Sequence, residues 1–380
     1  MSTDIQKLRP AQRVEQFLAS QAAKLRGKPH QRLPSARQLA QELDVSPRTV
    51  ATVYREFSKR GLLRTRVGDG TFLMPESAAQ SPGGAWRIGM SIPRLPQGSA
   101  ASLWNSLLYG GILDAAASLD PPAMVLPLAR DNDDDRMLEQ VIHQRDHIDG
   151  LILFPHPRMQ RILASYAEAG RPVVCLNPPS VSSTTDFVSS DYFQASRRLG
   201  QAWRASGRSR VLYLVSGSLE RSVSSQLRLS GLTVGLGSAL GAGCAIWIES
   251  TAGPSVEDGA QAMRRVLASQ PPPDAVYCAG DFLALGVLDV LNEHGLKVPE
   301  QVSVVGGTGY DLSGSAQPML TRCHQPLPEI SSALVQMLRH RLEHPGSSVP
   351  GLFLPLPFIG GSTTLPEENQ VLWQDDSASE

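Results

Sequence analysis

The residues best placed to do chemistry lie near the N-terminus. Arg48, Thr49, Thr52, Arg55 and Lys59 share one side of a helical period, and Val50, Val53, Tyr54 and Phe57 share the other. Guanidinium, ammonium and hydroxyl groups on one face of a short helix suit phosphate neutralisation and hydrogen bonding to base edges. Arg32, Arg60, Arg64 and Arg66 add to that charge, and the turn Gly68-Asp69-Gly70 lets backbone approach a phosphate. Catalytic patterns are missing: there is no GxGxxG or GxxxxGK[ST] after a strand and no GxSxG. His143 and His147 stand four apart, yet no glutamate follows the first, so they read as solvated surface histidines. The acidic run from Asp131 to Asp135 lacks the glycine and glutamate of a calcium loop and reads as a charged helix start. Cys175, Cys244, Cys278 and Cys323 are far apart with no CxxC spacing, which predicts reduced core thiols. Catalytic residues, metal and cofactor are all expected to be absent.

The net charge of −1 over 380 residues conceals a split. Residues 1–75 hold fourteen basic groups against six acidic ones, a net of +8, leaving −9 on residues 76–380. A cationic end on an anionic remainder predicts a polyanion-binding module joined to something with another task. With 41% hydrophobic residues the chain has material for buried cores. It shows no apolar signal region and no run of 18 apolar residues, so a cytoplasmic protein is expected.

The elements that must position the basic face are legible. Val14, Phe17, Leu18, Ala22 and Leu25 share one side of a first helix. Ser35-Ala-Arg-Gln38 is a capping box for a second, and Ser46-Pro47 an N-cap followed by proline for a third. Strands at Leu62–Val67 and Thr71–Leu73 follow, making residues 1–74 a winged helix-turn-helix. Residues 75–85, PESAAQSPGGA, read as a linker. From 86 to 364, apolar runs such as GLILF, PVVCL and DAVYCA alternate with helix-period stretches. That is the pattern of βαβ units and open parallel sheets, so the fold class is α/β with two lobes. The lobes are placed at about 86–190 with 324–345, and about 191–322 with 350–364. Residues 365–380 are expected to be an acidic, frayed tail.

Residues 33–73, LPSARQLAQELDVSPRTVATVYREFSKRGLLRTRVGDGTFL, resemble the winged-helix domain of GntR-type bacterial transcription regulators. The resemblance implies double-stranded operator DNA as partner, with Arg37, Ser46 and Thr49 at contacting positions and Gly68 and Gly70 at the wing tip. Arg32, Ser35, Arg48, Arg55, Lys59 and Arg66 complete the expected DNA-binding set. Pro47 and Ala51 stand where family members often carry arginine, which leaves the operator sequence open.

The stretches 216–232, 273–306 and 319–326 resemble the effector-binding body of LacI/GalR-type repressors, which has the periplasmic-binding-protein fold. The resemblance implies a ligand cleft served by Phe154, Asn177, Ser224, Arg228, Gly280, Asp281, Thr308, Tyr310 and Gln325. Asp281 precedes a helix and reads equally well as its N-cap. An Asn-Asp pair of the family is Gly280-Asp281 here, and a Gly-x-Asp-Asp is replaced by a Gly-rich run ending in Tyr310-Asp311. The implied protein is a homodimeric, ligand-responsive repressor with a small polar effector. A sugar comes first, a nucleoside or other metabolite stays open, and the linker has no basic or leucine wedge to form a hinge helix. A body like a pyridoxal-phosphate aminotransferase is the rival, disfavoured because Lys297 is the only lysine after Lys59.

Overall fold

The computed structural model describes residues 9–24, 31–59, 63–66, 70–73, 85–91, 100–128, 134–178, 180, 185–217, 222–237, 243–307, 319–347 and 349–373. The expected linker therefore lies almost wholly outside the described residues, as do Gly68, Thr308 and Tyr310. Contacts divide the chain into two compact units: Met1–Pro93 with Leu113–Val174 and Leu338–Ser347, and Arg94–Ile112 with Cys175–Met337 and Ser348–Glu380.

The N-terminal part contains α1 (Pro10–Lys24), β1 (Gln31–Arg32), α2 (Ala36–Leu43), α3 (Pro47–Lys59), β2 (Leu63–Arg66) and β3 (Gly70–Leu73). Both predicted N-caps form. Ser35 Oγ accepts from Gln38 N while Gln38 returns a bond to Ser35 N, and Ser46 Oγ accepts from Thr49 N at 3.1 Å ahead of Pro47. The turn between α2 and α3 is held by Asp44 in the left-handed region at φ 51°. Val14, Leu18, Leu39, Leu43, Val50, Val53 and Leu63 close one apolar core. The wing differs from expectation: β1 joins it, giving an antiparallel sheet in the order β1-β3-β2.

In the body, β4 (Arg87–Ser91), α4 (Ala100–Ala117), β5 (Met124–Leu128), α5 (Asp134–His143), β6 (Gly150–Leu153), α6 (Met159–Glu168), β7 (Val173–Leu176) and β8 (Phe187–Ser190) follow one another. With β14 (Leu352–Leu354) the strands form a sheet ordered β14-β8-β7-β6-β4-β5, and its registered pairs are parallel. The second sheet is built from β9 (Arg210–Ser216), β10 (Ala245–Thr251), β11 (Ala275–Cys278), β12 (Ser303–Gly306), β13 (Thr321–Cys323) and β15 (Phe358–Ile359). Its order is β10-β9-β11-β12-β13-β15, parallel except for the last pair. The runs GLIL, VVCL and AVYC are buried at every residue, as parallel strands covered on both faces must be. On one face of the second sheet, α7 (Tyr192–Ala205) and α8 (Val223–Leu236) share a core with Tyr213, Tyr277 and Cys323. On the other, α9 (Val256–Ser269) and α10 (Asp281–Glu293) pack over Leu212, Leu214, Val276 and Val304. Helix α11 (Leu327–Glu343) follows β13.

The tail corrects the sequence reading. Residues 366–372 are not frayed but form α12 (Pro366–Leu372), with Leu372 inside the α7–α8 core and Glu368 wholly buried. The Glu368 carboxylate accepts from Arg208 Nε at 2.8 Å, Ser206 Oγ at 2.8 Å and Ser303 Oγ at 2.6 Å. A composition rich in acid says nothing about whether one carboxylate has a buried arginine waiting for it.

All four cysteines are free and buried, as expected. Burial pushes the Cys175 and Cys323 thiols up to about 12 and raises Cys244 and Cys278 as well. In native protein at pH 8, Ellman's reagent should find no fast-reacting thiol, and four should appear in guanidinium. A thiol titrating within the first minute on folded protein would contradict this burial.

Candidate functional site

The head presents its polar residues outward. Val50, Val53 and Tyr54 hold α3 against the core, which leaves Arg48, Thr52 and Arg55 exposed on the opposite side. Arg37 on α2, Arg32 on β1 and the two N-cap residues Ser35 and Ser46 are exposed as well. Tyr54 does more than fill space: its hydroxyl donates to Pro34 O at 3.0 Å, tying α3 to the segment before α2. Ser46 and Thr49 share a hydroxyl–hydroxyl bond of 2.8 Å, so any DNA contact they make must coexist with capping. Gly70 has φ 110°, and a Cβ there would meet Arg32 Nε at 3.0 Å. Glycine thus serves both backbone conformation and arginine placement. The side chains of Lys59 and Arg66 lie outside what the structure describes.

In the second unit, the residues singled out from the sequence gather at the carboxyl ends of parallel strands, where open α/β sheets bind ligands. Asn177 directly follows β7 with φ 62°, a left-handed conformation rare outside glycine, and its Oδ1 accepts from Ser189 Oγ at 2.9 Å. Gln325, just after β13, is buried and engaged at both ends of its amide. Its Oε1 accepts from Trp104 Nε1 at 2.6 Å and its Nε2 donates to Tyr192 Oη at 3.1 Å. Arg228, on the inner side of α8, is 4% exposed; its guanidinium carbon sits 4.2 Å from the Tyr192 ring centroid, and one terminal nitrogen donates to Gly307 O at 3.1 Å. Burial alone would lower the Arg228 pKa; Tyr277, Tyr213, Tyr192 and Cys323 around it act the other way and hold it above its usual value. Burial keeps all three phenols protonated. The guanidinium is therefore a charged group set among aromatic side chains, and Asp281 acts on the same Cys323 that faces it.

Asp281 is the first helical residue of α10 and fully buried; Gly280 occupies the N-cap, so the capping role expected of Asp281 is not the one it has. A Cβ on Gly306 would run into Asp281 Oδ1 at the start of α10, and one on Gly307 would meet Cys278 O at 2.6 Å at the end of β11, so glycine at both positions lets β12 end close to its neighbours. Ser224 is half-buried, with its Oγ 3.2 Å from that of Ser222, the N-cap of α8. Phe154 belongs to the first unit, buried at the end of β6 with its N–H donating to Ser91 Oγ. Trp104 and Tyr192 were missed by sequence reasoning. Both are aromatic residues in helical stretches, and nothing in their spacing separates them from core positions.

A model of the bacterial regulatory proteins of the gntR family matches residues 10–73, and a model of the periplasmic binding protein-like domain matches residues 201–364. The chain is thus a fusion of a GntR-type helix-turn-helix head with a periplasmic-binding-protein-like body. More narrowly, the chain is similar to repressors of the LacI family. The chain is 29% identical over 174 residues to the HTH-type transcriptional repressor PurR of Mannheimia succiniciproducens, covering 46% of this chain and 51% of that protein. It is 36% identical over 112 residues to the HTH-type transcriptional repressor CytR of Escherichia coli, covering 29% of this chain and 33% of that protein. The ribose operon repressor of Escherichia coli is 27% identical over 214 residues, 56% of this chain and 63% of that protein. The matched region thus spans about a third to under two thirds of these relatives. Among solved structures, a LacI family transcriptional regulator from Enterococcus faecium with bound ribose superposes with a TM-score of 0.60 at 21% identity, covering 74% of this chain and 99% of that one. The lac repressor dimer bound to operator and the anti-inducer ONPF gives 0.63 at 23%, covering 74% and 94%. At such identities the likeness shows the fold.

Proposed function

We propose that the protein is a ligand-responsive transcriptional repressor: its winged-helix head binds double-stranded operator DNA and its body takes a small polar effector, a sugar in the first instance. Residues 1–74 act as the head, 75–85 as a linker, and 86–364 as the effector-binding and dimerising body. A homodimer sets two heads on two half-sites, and effector binding shifts the population between head spacings. The observation that carries the reading is the exposed basic face of α3, with Arg48, Thr52 and Arg55 on the side away from the core. The family model matching the head is one of bacterial regulatory proteins, and relatives of the chain are repressors by name. The protein acts without catalysis, metal or cofactor. Lys297, the lysine a pyridoxal-phosphate body would need buried, is exposed. Among the described residues no helix is long and apolar enough to cross a membrane.

The test is fluorescence anisotropy on a duplex selected from random sequence by the protein itself. Arg37→Ala and Arg48→Ala should each weaken binding about tenfold, as loss of one arginine contact implies. The slope of log affinity against log salt should fall by about one for each phosphate contact removed. Unchanged affinity and slope in the double variant would sink the assignment of this face.

A further inference from the structure

The register of the head's small sheet gathers arginines that the sequence scatters. Strand β1 lies antiparallel to β3 with Arg32 opposite Phe72. On the other side of β3, β2 sets Arg64 opposite Phe72 and Arg66 opposite Gly70. Leu33, Leu63 and Leu73 turn into the apolar core, so the alternating positions Arg32, Gly70 and Phe72 lie on the outer face of the sheet. There Arg32 is exposed and runs diagonally towards the hairpin end. A Cβ on Gly70 would meet its Nε at 3.0 Å, its Nη2 at 3.4 Å and its Cζ at 3.6 Å. Glycine at φ 110° thus leaves a seat along which the guanidinium rests. A long side chain seated before binding loses less rotamer freedom when it binds. Direct reading by α3 is thin by comparison. Of its first six residues only Arg48, Thr49 and Thr52 carry hydrogen-bonding side chains, and Thr49 already shares its hydroxyl with Ser46. Base pairs that so small a set does not touch are discriminated through the shape of the duplex.

We propose that Arg32 is a specificity-determining residue of the head: seated on Gly70, its guanidinium enters the minor groove beside the major-groove contact of α3 and selects A·T pairs there. This rests on the reading of the head as a DNA-binding domain. Runs of A·T pairs narrow the minor groove and deepen its negative potential, which draws arginine in. The N2 amino group of guanine projects into the same groove and obstructs it. A guanidinium held in one place distinguishes the two, whereas one resting on a phosphate neutralises charge on any sequence. Arginine suits the task better than lysine because its guanidinium is more weakly hydrated.

The experiment is fluorescence anisotropy of the full-length protein on the duplex it selects from random sequence. Each A·T pair is replaced in turn by G·C and by inosine·C, which presents the major-groove face of G·C and the minor-groove face of A·T. At pairs bordering the α3 contact, G·C should weaken binding about tenfold, while inosine·C should stay within about twofold of A·T. Arg32→Ala should remove that difference. Arg32→Lys should keep the salt slope and lose most of the difference. Gly70→Ala, which puts a methyl where the guanidinium rests, should flatten the preference as Arg32→Ala does. If Arg32→Ala weakens A·T and G·C duplexes equally, Arg32 is a phosphate contact; the inference is overturned and the DNA-binding head stands. If no pair separates G·C from inosine·C, the wild type alone overturns it, whichever variants fold. If no duplex is selected, the head's reading and the inference fall together.

Discussion

Replacing Glu368 with alanine should lower the free energy of unfolding by about 3–5 kcal/mol, the loss expected when one partner of a buried ion pair is removed. The size follows from what is left behind. Arg208 is 7% exposed in its side chain, and without the carboxylate it keeps Pro299 O at 2.8 Å, Gln301 O at 3.3 Å and the Ser303 hydroxyl. Two serine hydroxyls, of Ser206 and Ser303, lose their acceptor together, and so does the backbone N–H of Leu365, which Glu368 receives at 2.9 Å. Helix α12 has seven residues, too few to persist alone in water, so its Leu372 would leave the core with it. Glu368→Gln keeps the shape and loses the charge, and should cost less. The double variant Glu368→Leu with Arg208→Met should recover much of the loss, since an apolar pair of similar volume often matches a buried ion pair. Urea denaturation of wild type and the three variants measures these differences. A loss below about 1 kcal/mol in Glu368→Ala would mean that the tail is not held as the geometry indicates.

The contrast between head and tail shows what a sequence discloses. Head residues announce themselves because local rules fix them. Ser35 and Gln38 cap one helix, Ser46 and Pro47 start the next, and the alternation of Val50, Val53 and Tyr54 with Arg48, Thr52 and Arg55 fixes the inner face. The body strands expected from apolar runs such as GLILF, PVVCL and DAVYCA form, with helices between them. Four further strands, β8, β13, β14 and β15, went unread. FVSS carries two serines that look like loop, yet Ser189 and Ser190 are buried, and Thr321 in TRC is bonded to Thr364 at 2.7 Å. Polar residues enter a sheet when a partner far along the chain satisfies them, and that partner is invisible to local pattern. The same limit hid Trp104, which reaches Gln325 across 221 positions, and the pairing of Arg208 with Glu368 across 160. Arg228 and Asn177 came from resemblance. Their burial and strain are properties that only three dimensions supply.

Gly231→Ala should be among the most damaging single-methyl substitutions in the body, through a device the sequence did not reveal. Helices α7 and α8 cross with backbones in contact: a Cβ on Gly231 would enter Phe193 O, and one on Gly235 would enter Arg197 O. From the other side, a Cβ on Gly200 would lie 2.6 Å from Leu232 O. Alanine gains about 1 kcal/mol of helix propensity over glycine. Overpacking costs about 1–3 kcal/mol, occasionally more, and the top of that range applies here because a carbonyl on a helix cannot change rotamer to escape. The net result is destabilisation, with the helices forced apart. Arg228 stands three residues before Gly231 on the same helix, so moving α8 also moves the guanidinium off Tyr192 and away from Gly307 O. Gly110→Ala is the control. It too lies within a helix, α4, but a Cβ there has nothing within 4 Å, so propensity alone should act and stability should hold or rise. Denaturation curves of both variants separate close packing from propensity. If Gly231→Ala gains stability as Gly110→Ala does, the backbone contact between α7 and α8 is not there.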